Sequence, residues 1–498
     1  MSVLFQMSKG WKTRIILKPQ IFVVIGLFFL FILLQQQSTI LSPKISQIPI
    51  PILDIWKNIT DVVVGSGAIS NPNPVQEKNI CSISDMEDLL YKSRASHRLQ
   101  VPNWPSEVDR QMMHAREEIE KAPTLTDEQQ LYQPIFRNLS TFKRSYELME
   151  KILKVYVYKE GDKPVFHQPF FRNLYASEGW FMNQMESSTE FRVDDPSKAH
   201  LFYIPFSSVH LRKKYCPPGF HSKRIMIQHL NNFTLLVSSK YPFWNRTDGA
   251  DHFLIGCHDW AHAVTKKSSM HTAIRGLCTS DVKLGFEIGK DIALPATKVL
   301  VKLDPHRNIG GRPAEKRSTL VFFAGSLDSR TVRQNLVQYW EKKDPTMLIT
   351  GRIPPLIEVI NTTDNKPIMV NSYVHYMKNS KYCISPRGYE VWSPRLMETI
   401  FYGCVPIIMS DNFVPPLFDV LNWSEFSVIL PEKEVPNLKQ ILMDIPHWRY
   451  LELEKGVREV RRHFLWNIKP VKYDIFHMIL HSAWSNRMYQ IGVQSDRV

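Results

Sequence analysis

The pattern of apolar and polar positions divides the chain into segments of different structure. Residues 19–41 are uncharged and mostly apolar, which is enough for a membrane-spanning helix of about 20 residues. Residues 42–80 are rich in Pro, Ser and Asn without a sustained period, which predicts a flexible stem. Helical patterns follow over 83–122 and 140–153 and predict a helical neck.

From Lys154 onward, short β-rich runs alternate with helical stretches such as Val332–Lys342 and Pro394–Tyr402. This alternation is typical of an α/β fold with parallel sheets. The Gly- and Pro-containing segment 302–318 predicts a linker between two halves of similar size. Two α/β halves that face each other across a cleft can bind a nucleotide and a second substrate together. The predicted strands are Val155–Tyr158, Leu201–Pro205, Phe253–Gly256, Thr319–Gly325, Lys381–Ser385, Cys404–Ser410 and Phe426–Leu430.

The flanks of the apolar stretch predict its orientation. Residues 1–18 hold four basic and no acidic side chains, so the positive-inside rule keeps this tail in the cytosol and sends the rest of the chain to the lumen. A cleaved secretory signal is the alternative, but no small-residue cleavage site follows. Six glycosylation sequons all lie beyond the span, at Asn58, Asn138, Asn232, Asn245, Asn361 and Asn422.

Six cysteines also lie on the predicted lumenal side, at Cys81, Cys216, Cys257, Cys278, Cys383 and Cys404. Disulfides form readily in that compartment. Six cysteines allow 15 connectivities, so the sequence assigns none. Their spacing does not suggest a zinc site.

Composition and charge narrow the functional classes. The 498 residues are 44% apolar and 22% charged, which excludes a disordered chain, a collagen-like repeat and a multi-span membrane protein. The net charge of +14 resides mainly in residues 151–498, which hold 46 basic and 33 acidic side chains. A lumenal protein does not meet DNA, so we expect no nucleic-acid partner. A nucleotide diphosphate, an acidic polysaccharide or the membrane surface would explain the basic excess, as would a generally basic solvated surface.

The most informative stretch for chemistry runs from residue 385 to 410. Its pattern predicts a strand, a tight turn at Gly388, a helix with Ser393 as N-cap and Pro394 as first residue, and another strand after Gly403. A helix N-terminus beside a glycine turn presents backbone N–H groups to an anion.

Charged side chains lie in the same stretch. Arg387 and Arg395 could bind diphosphate oxygens, and Glu398 could accept hydrogen bonds from a ribose or another sugar. An ordinary capped helix with a surface Arg–Glu pair is the structural alternative.

This string resembles the signature of the exostosin-like glycosyltransferases, glycosyltransferase family 47, in the form of the plant cell-wall members. The matching positions are Cys383, Pro386, Gly388–Val391, Ser393–Arg395, Glu398, Ile400 and Gly403–Pro406. Arg387 and Trp392 depart from the pattern because small residues are usual there. Between about residues 150 and 490 further family-like blocks follow in the expected order, including Pro164–His167, Glu178–Phe181, Ala250–Phe253, Cys257–Trp260, Phe322–Gly325 and Arg333.

The resemblance implies a GT-B-like fold with two Rossmann-like domains facing a cleft. The acceptor-side domain would span 151–305, and the nucleotide-sugar-binding domain with the C-terminal helices would span 306–498, after a transmembrane helix and a stem and neck at 42–150. The nucleotide-sugar site would include Arg333, Arg387, Gly388, Ser393, Arg395 and Glu398.

The resemblance also implies an activity and a location. It implies a Golgi glycosyltransferase, anchored as a single-pass type II membrane protein, that transfers a sugar from a UDP-sugar to a cell-wall polysaccharide such as pectin or hemicellulose. The donor sugar, acceptor and linkage are left open, as is association with itself or with other glycosyltransferases.

No D-x-D triplet occurs in the chain, so the paired carboxylates that hold Mn²⁺ on the donor in other transferases are missing. Arginine and backbone donors would have to neutralise the diphosphate instead. We therefore expect no metal and no other cofactor.

The implied inverting transfer needs one general base for the acceptor hydroxyl. Asp259 and His258 are the first candidates because they follow a predicted strand of the acceptor-side half. His252, Asp195 and His167 are further candidates. The structural alternative is that Asp259 caps the next segment and His258 packs in the core.

Two other classes of protein compete with this hypothesis. A non-catalytic glycan-binding or scaffold partner of an active transferase would keep the cleft but tolerate losses in the diphosphate motif, whereas Arg395 and Glu398 are both present. A Golgi sulfotransferase should carry a phosphate-binding Gly/Ser/Thr loop after an early strand, and residues 155–161 lack one.

Overall fold

A computed structural model describes the chain from residue 80 to 492, within a compact unit that spans Lys78–Val498. The described ranges are 80–95, 101–104, 106–125, 129–171, 173–216, 222–298, 305–306, 308–327, 332–353, 356–359, 367–370 and 372–492. The predicted cytosolic tail, the span at 19–41, most of the stem, and the sequons at Asn58 and Asn361 lie outside these ranges. None of the described helices combines the length and the apolar character needed to cross a bilayer.

The first half of this unit is built on a sheet of six parallel strands in the order β2-β1-β3-β4-β5-β6. Strands β3 and β4 are buried at every position, as expected for parallel strands covered on both faces. The strands are β1 (Val155–Val157), β2 (Arg192–Val193), β3 (Leu201–Ile204), β4 (His252–Gly256), β5 (Ile274–Leu277) and β6 (Ile292–Ala293).

The second half is built on a sheet of five parallel strands in the order β13-β12-β11-β7-β8. A separate antiparallel hairpin is formed by β9 and β10. The strands are β7 (Thr319–Ala324), β8 (Met347–Thr350), β9 (Leu356–Val359), β10 (Pro367–Val370), β11 (Ser380–Pro386), β12 (Val405–Met409) and β13 (Val428–Ile429). The predicted α/β architecture with parallel sheets is confirmed, and it is consistent with two Rossmann-like domains.

Both sheets reverse their strand order at one place, between β1 and β3 in the first sheet and between β7 and β11 in the second. At such a switch point the connections leave in opposite directions, and the carboxyl ends of the strands border a crevice where ligands bind in open α/β sheets. The predicted site residues Gly388, Arg395 and Asp259 all come shortly after strands whose carboxyl ends lie at these edges.

Fourteen α-helices are present in the described residues, and the last of them connects distant parts of the chain. The last, α14, packs on β5 and β6 of the first sheet and on α2 and α3. The helices are α1 (Ile83–Ala95), α2 (Glu107–Glu120), α3 (Leu139–Ile152), α4 (Ala176–Ser187), α5 (Ser208–Tyr215), α6 (Arg224–Lys240), α7 (Phe243–Thr247), α8 (Ala261–Lys266), α9 (Val332–Trp340), α10 (Ser372–Asn379), α11 (Arg395–Phe401), α12 (Leu438–Met443), α13 (His447–Val460) and α14 (Ile475–Gln490). The predicted neck helices α1–α3 therefore belong to the same compact unit as both sheets.

Two disulfides join neighbouring strands of the two sheets. Cys257, directly after β4, bonds to Cys278, directly after β5. Cys383 in β11 bonds to Cys404, which precedes β12. The first bond lies directly before His258 and Asp259, whereas the second lies at the amino end of β12, away from the 387–395 turn.

Candidate active site

The carboxyl edge of the second sheet holds Arg395. Its Nη2 donates to the Ala324 carbonyl oxygen at the end of β7 at 2.8 Å, and its Nη1 donates to Ser393 Oγ at 3.2 Å. The guanidinium carbon lies 5.1 Å from the centre of the Phe323 ring. A Cβ atom at Gly325 would lie 2.4 Å from Nη2, so the glycine after β7 provides the space that this arginine occupies.

Arg333, the second residue of α9, reaches the same edge. A Cβ atom at Gly388 would lie 2.3 Å from Arg333 Nη2, so Gly388 allows this approach just as Gly325 allows that of Arg395. Burial, reinforced by the positive charge of Arg395, lowers the pKa of Arg333 to about 10. Two guanidinium groups therefore face one site at the ends of β7 and β11.

Among the described residues, these two cations have no counter-charge. Within the described ranges neither forms an ion pair with a carboxylate, and the buried Nε atoms of Arg333 and Arg395 both lack a hydrogen-bond partner there. Buried N–H donors are normally satisfied, and an unpaired one costs about 1–3 kcal/mol. Two like charges with open donors form a site that favours an anion with several oxygens.

The helix after this turn begins slightly later than its pattern predicts. Helix α11 starts at Arg395, and Ser393 Oγ accepts a hydrogen bond from the Arg395 backbone N–H at 3.3 Å. Glu398 lies one turn on, where its Oε2 accepts a hydrogen bond from the Tyr373 hydroxyl at 2.7 Å. Burial raises the pKa of Tyr373. The positive charge of Arg395 opposes this rise, and the negative charge of Glu398 adds to it. Tyr373 thus links the carboxylate to the arginine pair.

Arg387 has different neighbours. Its Nη2 lies 3.6 Å from Asp281 Oδ2, its Nη1 lies 3.9 Å from Glu432 Oε1, and Nη1 also donates to the Asp411 carbonyl oxygen at 3.4 Å. These contacts engage Arg387 with acidic groups of both halves. The structure brings Arg333, Gly388, Ser393 and Arg395 together, whereas the described contacts of the Arg387 guanidinium are with Asp281, Glu432 and Asp411.

In the first half, a buried carboxylate organises the edge that faces the arginines. Glu178 of α4 accepts hydrogen bonds from the hydroxyls of Ser207 and Ser208, just after β3, and from the Cys257 backbone N–H, just after β4. Ser208 Oγ in turn accepts from the His258 backbone N–H at 3.0 Å. Glu178, fully buried, therefore joins the loop after β3 to the loop after β4, which carries His258 and Asp259.

Asp259 is a half-buried carboxylate at the end of β4. Its Oδ1 accepts a hydrogen bond from the Tyr175 hydroxyl at 3.3 Å, and burial raises the pKa of the Asp259 carboxyl. A carboxylate with a raised pKa is a stronger base than one in water, which suits proton abstraction from a hydroxyl.

His258 is less suited to that role. Its Nδ1 accepts a hydrogen bond from the Trp260 backbone N–H at 3.1 Å, which leaves the proton of the neutral ring on Nε2. Burial, together with the positive charges of Arg212 and Lys223, lowers the pKa of His258 to about 4. Near neutral pH the ring is therefore a neutral N–H donor. Of the two predicted candidates, Asp259 fits a general base better.

The two edges meet across Trp392, one of the departures from the family pattern. The Trp392 indole N–H donates to Thr279 Oγ1 of the first half at 2.9 Å. Its ring lies 6.2 Å from that of Tyr175, which lies 5.2 Å from the His258 ring. Trp392 thus connects the turn that leads to Arg395 with the residues around Asp259.

Glu390 is a site residue that the sequence reasoning missed. Burial, followed by the negative charge of Asp259, raises the pKa of Glu390 to about 8, so the two carboxyl groups are close enough to interact across the cleft. Glu390 lies inside the Gly388–Val391 string, where it was matched to the family pattern without being assigned a role. Only the three-dimensional approach of Asp259 distinguishes it.

We expect Glu390→Gln to stabilise the protein increasingly as pH rises. Because the folded-state pKa is raised, the folded protein keeps a proton that the unfolded chain releases between about pH 4.5 and pH 8, and wild-type stability falls across that window. Gln does not titrate, so the variant does not lose stability over this pH range. At pH 8 its free energy of unfolding should exceed that of wild type by about 1–3 kcal/mol, with solvent screening taken into account. Urea denaturation at pH 4.5 and pH 8 measures it.

The matched control is Glu459→Gln, at an exposed glutamate of α13. Its effect should be small and equal at both pH values. An equal effect of Glu390→Gln at both pH values would contradict the raised pKa of Glu390.

The other predicted bases lie in structural roles. His252 is fully buried at the start of β4, where it bonds to Tyr158 and Asp251, each at 2.7 Å. Asp195 accepts from Ser197 at a surface turn. His167 bonds to Glu186 Oε1 at 2.8 Å and to the Glu160 carbonyl oxygen at 2.9 Å. None of these contacts involves Asp259 or Glu390.

Four predicted glycosylation sites fall in the described residues. Asn138, Asn232 and Asn245 are exposed, and Asn422 is half-buried. Asn138 caps α3 by accepting from the Thr141 backbone N–H at 3.0 Å. The same described ranges contain no group of three or more His, Cys, Asp or Glu side chains able to hold a metal ion. Metal independence and glycan attachment remain predictions.

Comparison with known proteins identifies the family. A family model described as "Exostosin GT47 domain" matches residues 149–445, a span that contains both sheets and every residue of the site described above. The chain belongs to the exostosin GT47 family. It is therefore a glycosyltransferase, as its sequence motifs indicated.

Several curated proteins resemble this GT47 chain. It is 41% identical over 357 residues to "Probable glycosyltransferase At3g07620" of Arabidopsis thaliana, covering 71% of this chain and 73% of that protein. It is 28% identical over 344 residues to "Probable beta-1,4-xylosyltransferase IRX10" of the same plant, covering 66% and 81%. It is also 28% identical over 362 residues to "Probable glucuronosyltransferase Os04g0398600" of Oryza sativa subsp. japonica, covering 68% and 82%.

Proposed function

We propose that this GT47 chain transfers a sugar from a UDP-sugar to a cell-wall polysaccharide such as pectin or hemicellulose, with inversion of configuration and without a metal ion. One observation carries the proposal. The guanidinium groups of Arg333 and Arg395, which have no counter-charge among the described residues, lie at the carboxyl edge of one sheet, and the carboxylate of Asp259 lies at the carboxyl edge of the other. The names of the xylosyltransferase and glucuronosyltransferase relatives support a cell-wall glycan as acceptor.

On this proposal the arginine pair binds the diphosphate of the donor. The open N–H donors of Arg333 and Arg395 would form charge-assisted hydrogen bonds to phosphate oxygens, and the phosphate charge would remove the repulsion between the two cations. When the bond between the anomeric carbon and the β-phosphate oxygen breaks, negative charge builds up on that oxygen. Preorganised cations at this position would stabilise the transition state.

Asp259 serves as the general base. As the acceptor hydroxyl oxygen attacks the anomeric carbon from the face opposite the departing UDP, the carboxylate takes the hydroxyl proton, and one C–O bond forms as another breaks. Glu390, with its pKa near 8, stays protonated at neutral pH and can donate a hydrogen bond in the cleft. The Tyr175 hydroxyl holds Asp259 in place.

The proposed location is the Golgi membrane, with the body in the lumen. The basic tail, the uncharged stretch at 19–41 and the sequons beyond it support a type II topology. The disulfides Cys257–Cys278 and Cys383–Cys404 support an oxidising compartment. Protease protection of a C-terminal tag in sealed microsomes tests this orientation.

We expect UDP binding and sugar transfer to persist without divalent cations. The two arginines supply the positive charge that Mn²⁺ supplies elsewhere, so excess EDTA should change the UDP affinity by less than about threefold. Calorimetric titration with UDP, followed by an assay against a panel of UDP-sugars and polysaccharide acceptors, measures both. Binding that depends fully on added Mn²⁺ would contradict the proposed diphosphate site, and failure of every donor to react would contradict the transfer.

A further inference from the structure

A surface of cations and aromatic rings lies next to Asp259 on the first half. We call it the basic–aromatic surface and define it by Phe170, Arg212, Lys213, Lys223 and Trp260. The Arg212 guanidinium carbon lies 5.0 Å from the Trp260 ring centre, and Lys223 Nζ lies 5.1 Å from it. Lys213 Nζ lies 4.3 Å from the Phe170 ring centre. Both rings are half-buried, so each is partly exposed and held in position by its surroundings.

The three cations of this surface are not paired with any acid group that the structure describes. Arg212, Lys213 and Lys223 form no ion pair with any carboxylate in the described ranges, whereas buried arginines elsewhere, such as Arg246 and Arg275, are paired with aspartates. The positive charges of two of the three surface cations act on groups in the cleft. Arg212 and Lys223 lower the pKa of His258, and the charge of Lys223 also acts on Glu390.

The position of this surface determines what it can bind. Trp260 directly follows Asp259, so a molecule that presents a hydroxyl to Asp259 must continue over or beside the Trp260 ring. Aromatic faces pack against the C–H faces of sugar rings. Clustered cations of one sign repel one another, and an anionic ligand removes this cost.

We propose that the basic–aromatic surface binds the acceptor, and that the acceptor is a polyuronide, a glycan whose sugars carry carboxylates. Trp260 and Phe170 would stack on sugar rings near the accepting residue, while Arg212, Lys213 and Lys223 bind neighbouring carboxylates. This inference rests on the proposed function, because it takes Asp259 as the base that the acceptor hydroxyl must reach. A neutral glycan would use the rings but leave the cations without a role.

The test uses the full-length protein in detergent and a galacturonic acid oligomer of about ten residues as probe. The same oligomer with its carboxylates methyl-esterified keeps the sugar backbone but removes the charge. We expect the esterified oligomer to bind at least about tenfold more weakly by fluorescence titration, and binding of the charged oligomer to weaken as salt rises from about 50 to 300 mM.

A pair of variants with a matched control locates the binding. Lys213→Gln with Lys223→Gln removes two charges from the basic–aromatic surface. Lys381→Gln with Lys455→Gln removes two lysines that also lie over aromatic rings, at 5.4 and 4.5 Å, in the second half. We expect the first pair to weaken binding of the charged oligomer at least about tenfold, with little further effect on the esterified one, and the control pair to bind as wild type does.

Several outcomes would overturn the inference. These are equal binding of the two oligomers, unchanged affinity in the first variant pair, or an equal loss in the control pair, which would indicate nonspecific attraction to a basic protein. UDP titration of the same samples separates this failure from that of the proposed function. If wild type binds UDP but not the charged oligomer, only the acceptor class is wrong. If wild type does not bind UDP, the proposed donor site is refuted.

Discussion

Asp259→Asn is expected to lower the rate of sugar transfer by about 10²–10⁴-fold, the usual contribution of a general base. The amide has nearly the same shape and can still accept the hydrogen bond from Tyr175, but it cannot take a proton from the acceptor hydroxyl. UDP binds at the opposite edge, so its affinity should change by less than about threefold. A steady-state assay with saturating UDP-sugar, together with UDP titration, separates loss of chemistry from loss of binding.

The pH dependence of the same reaction provides a second readout. Asp259 must be ionised to act, so kcat/KM should fall as pH is lowered through its raised pKa, and this acid limb should lie above the range of an ordinary carboxyl group. The limb should be absent from the residual activity of Asp259→Asn. His258→Gln is the control, since His258 is a neutral donor and its loss should be much milder. An equal loss in His258→Gln would show that the base is wrongly assigned.

Arg395→Ala is expected to weaken UDP binding by about 2–4 kcal/mol, or roughly 30- to 1000-fold, through the loss of charge-assisted hydrogen bonds in a partly buried site. Stability should change little. The variant loses the bond to the Ala324 carbonyl oxygen, worth about 1 kcal/mol, but it also removes the repulsion between Arg395 and Arg333. Calorimetry with UDP and thermal unfolding on the same sample measure the two quantities separately.

Arg387→Ala is the matched control because it removes an arginine from the same turn. Arg387 is engaged with Asp281 and Glu432, so we expect its loss to change UDP affinity far less than the loss of Arg395. Normal UDP affinity in Arg395→Ala with a sharply lowered melting temperature would instead make Arg395 a structural residue.

Much of the fold was predictable from local pattern. All seven predicted strands form, because the strands of parallel sheets are buried on both faces and show as short apolar runs. Strand β5 was missed because Arg275 and Gly276 interrupt its apolar pattern. Arg275 is buried there only because Asp291, 16 residues later, pairs with it. A partner so distant in sequence leaves no local signal.

The site was predictable only in part, and the reason is similar. Gly388, Ser393 and Arg395 share one turn, so their spacing indicated an anion site. The approach of Arg333 to Gly388, and of Glu390 to Asp259, depends on how strands and halves are brought together. Tyr175 carries no signal in the sequence. The roles of Glu390 and Glu178 arise from burial, which one sequence does not reveal at single positions.

A structure of the protein with UDP bound would test the central claim most directly. We expect the diphosphate at the carboxyl ends of β7 and β11, with phosphate oxygens within hydrogen-bond distance of both Arg333 and Arg395, and the β-phosphate, which carries the sugar in the donor, directed toward Asp259. A diphosphate bound at the edge of the first sheet, or away from both arginines, would contradict it.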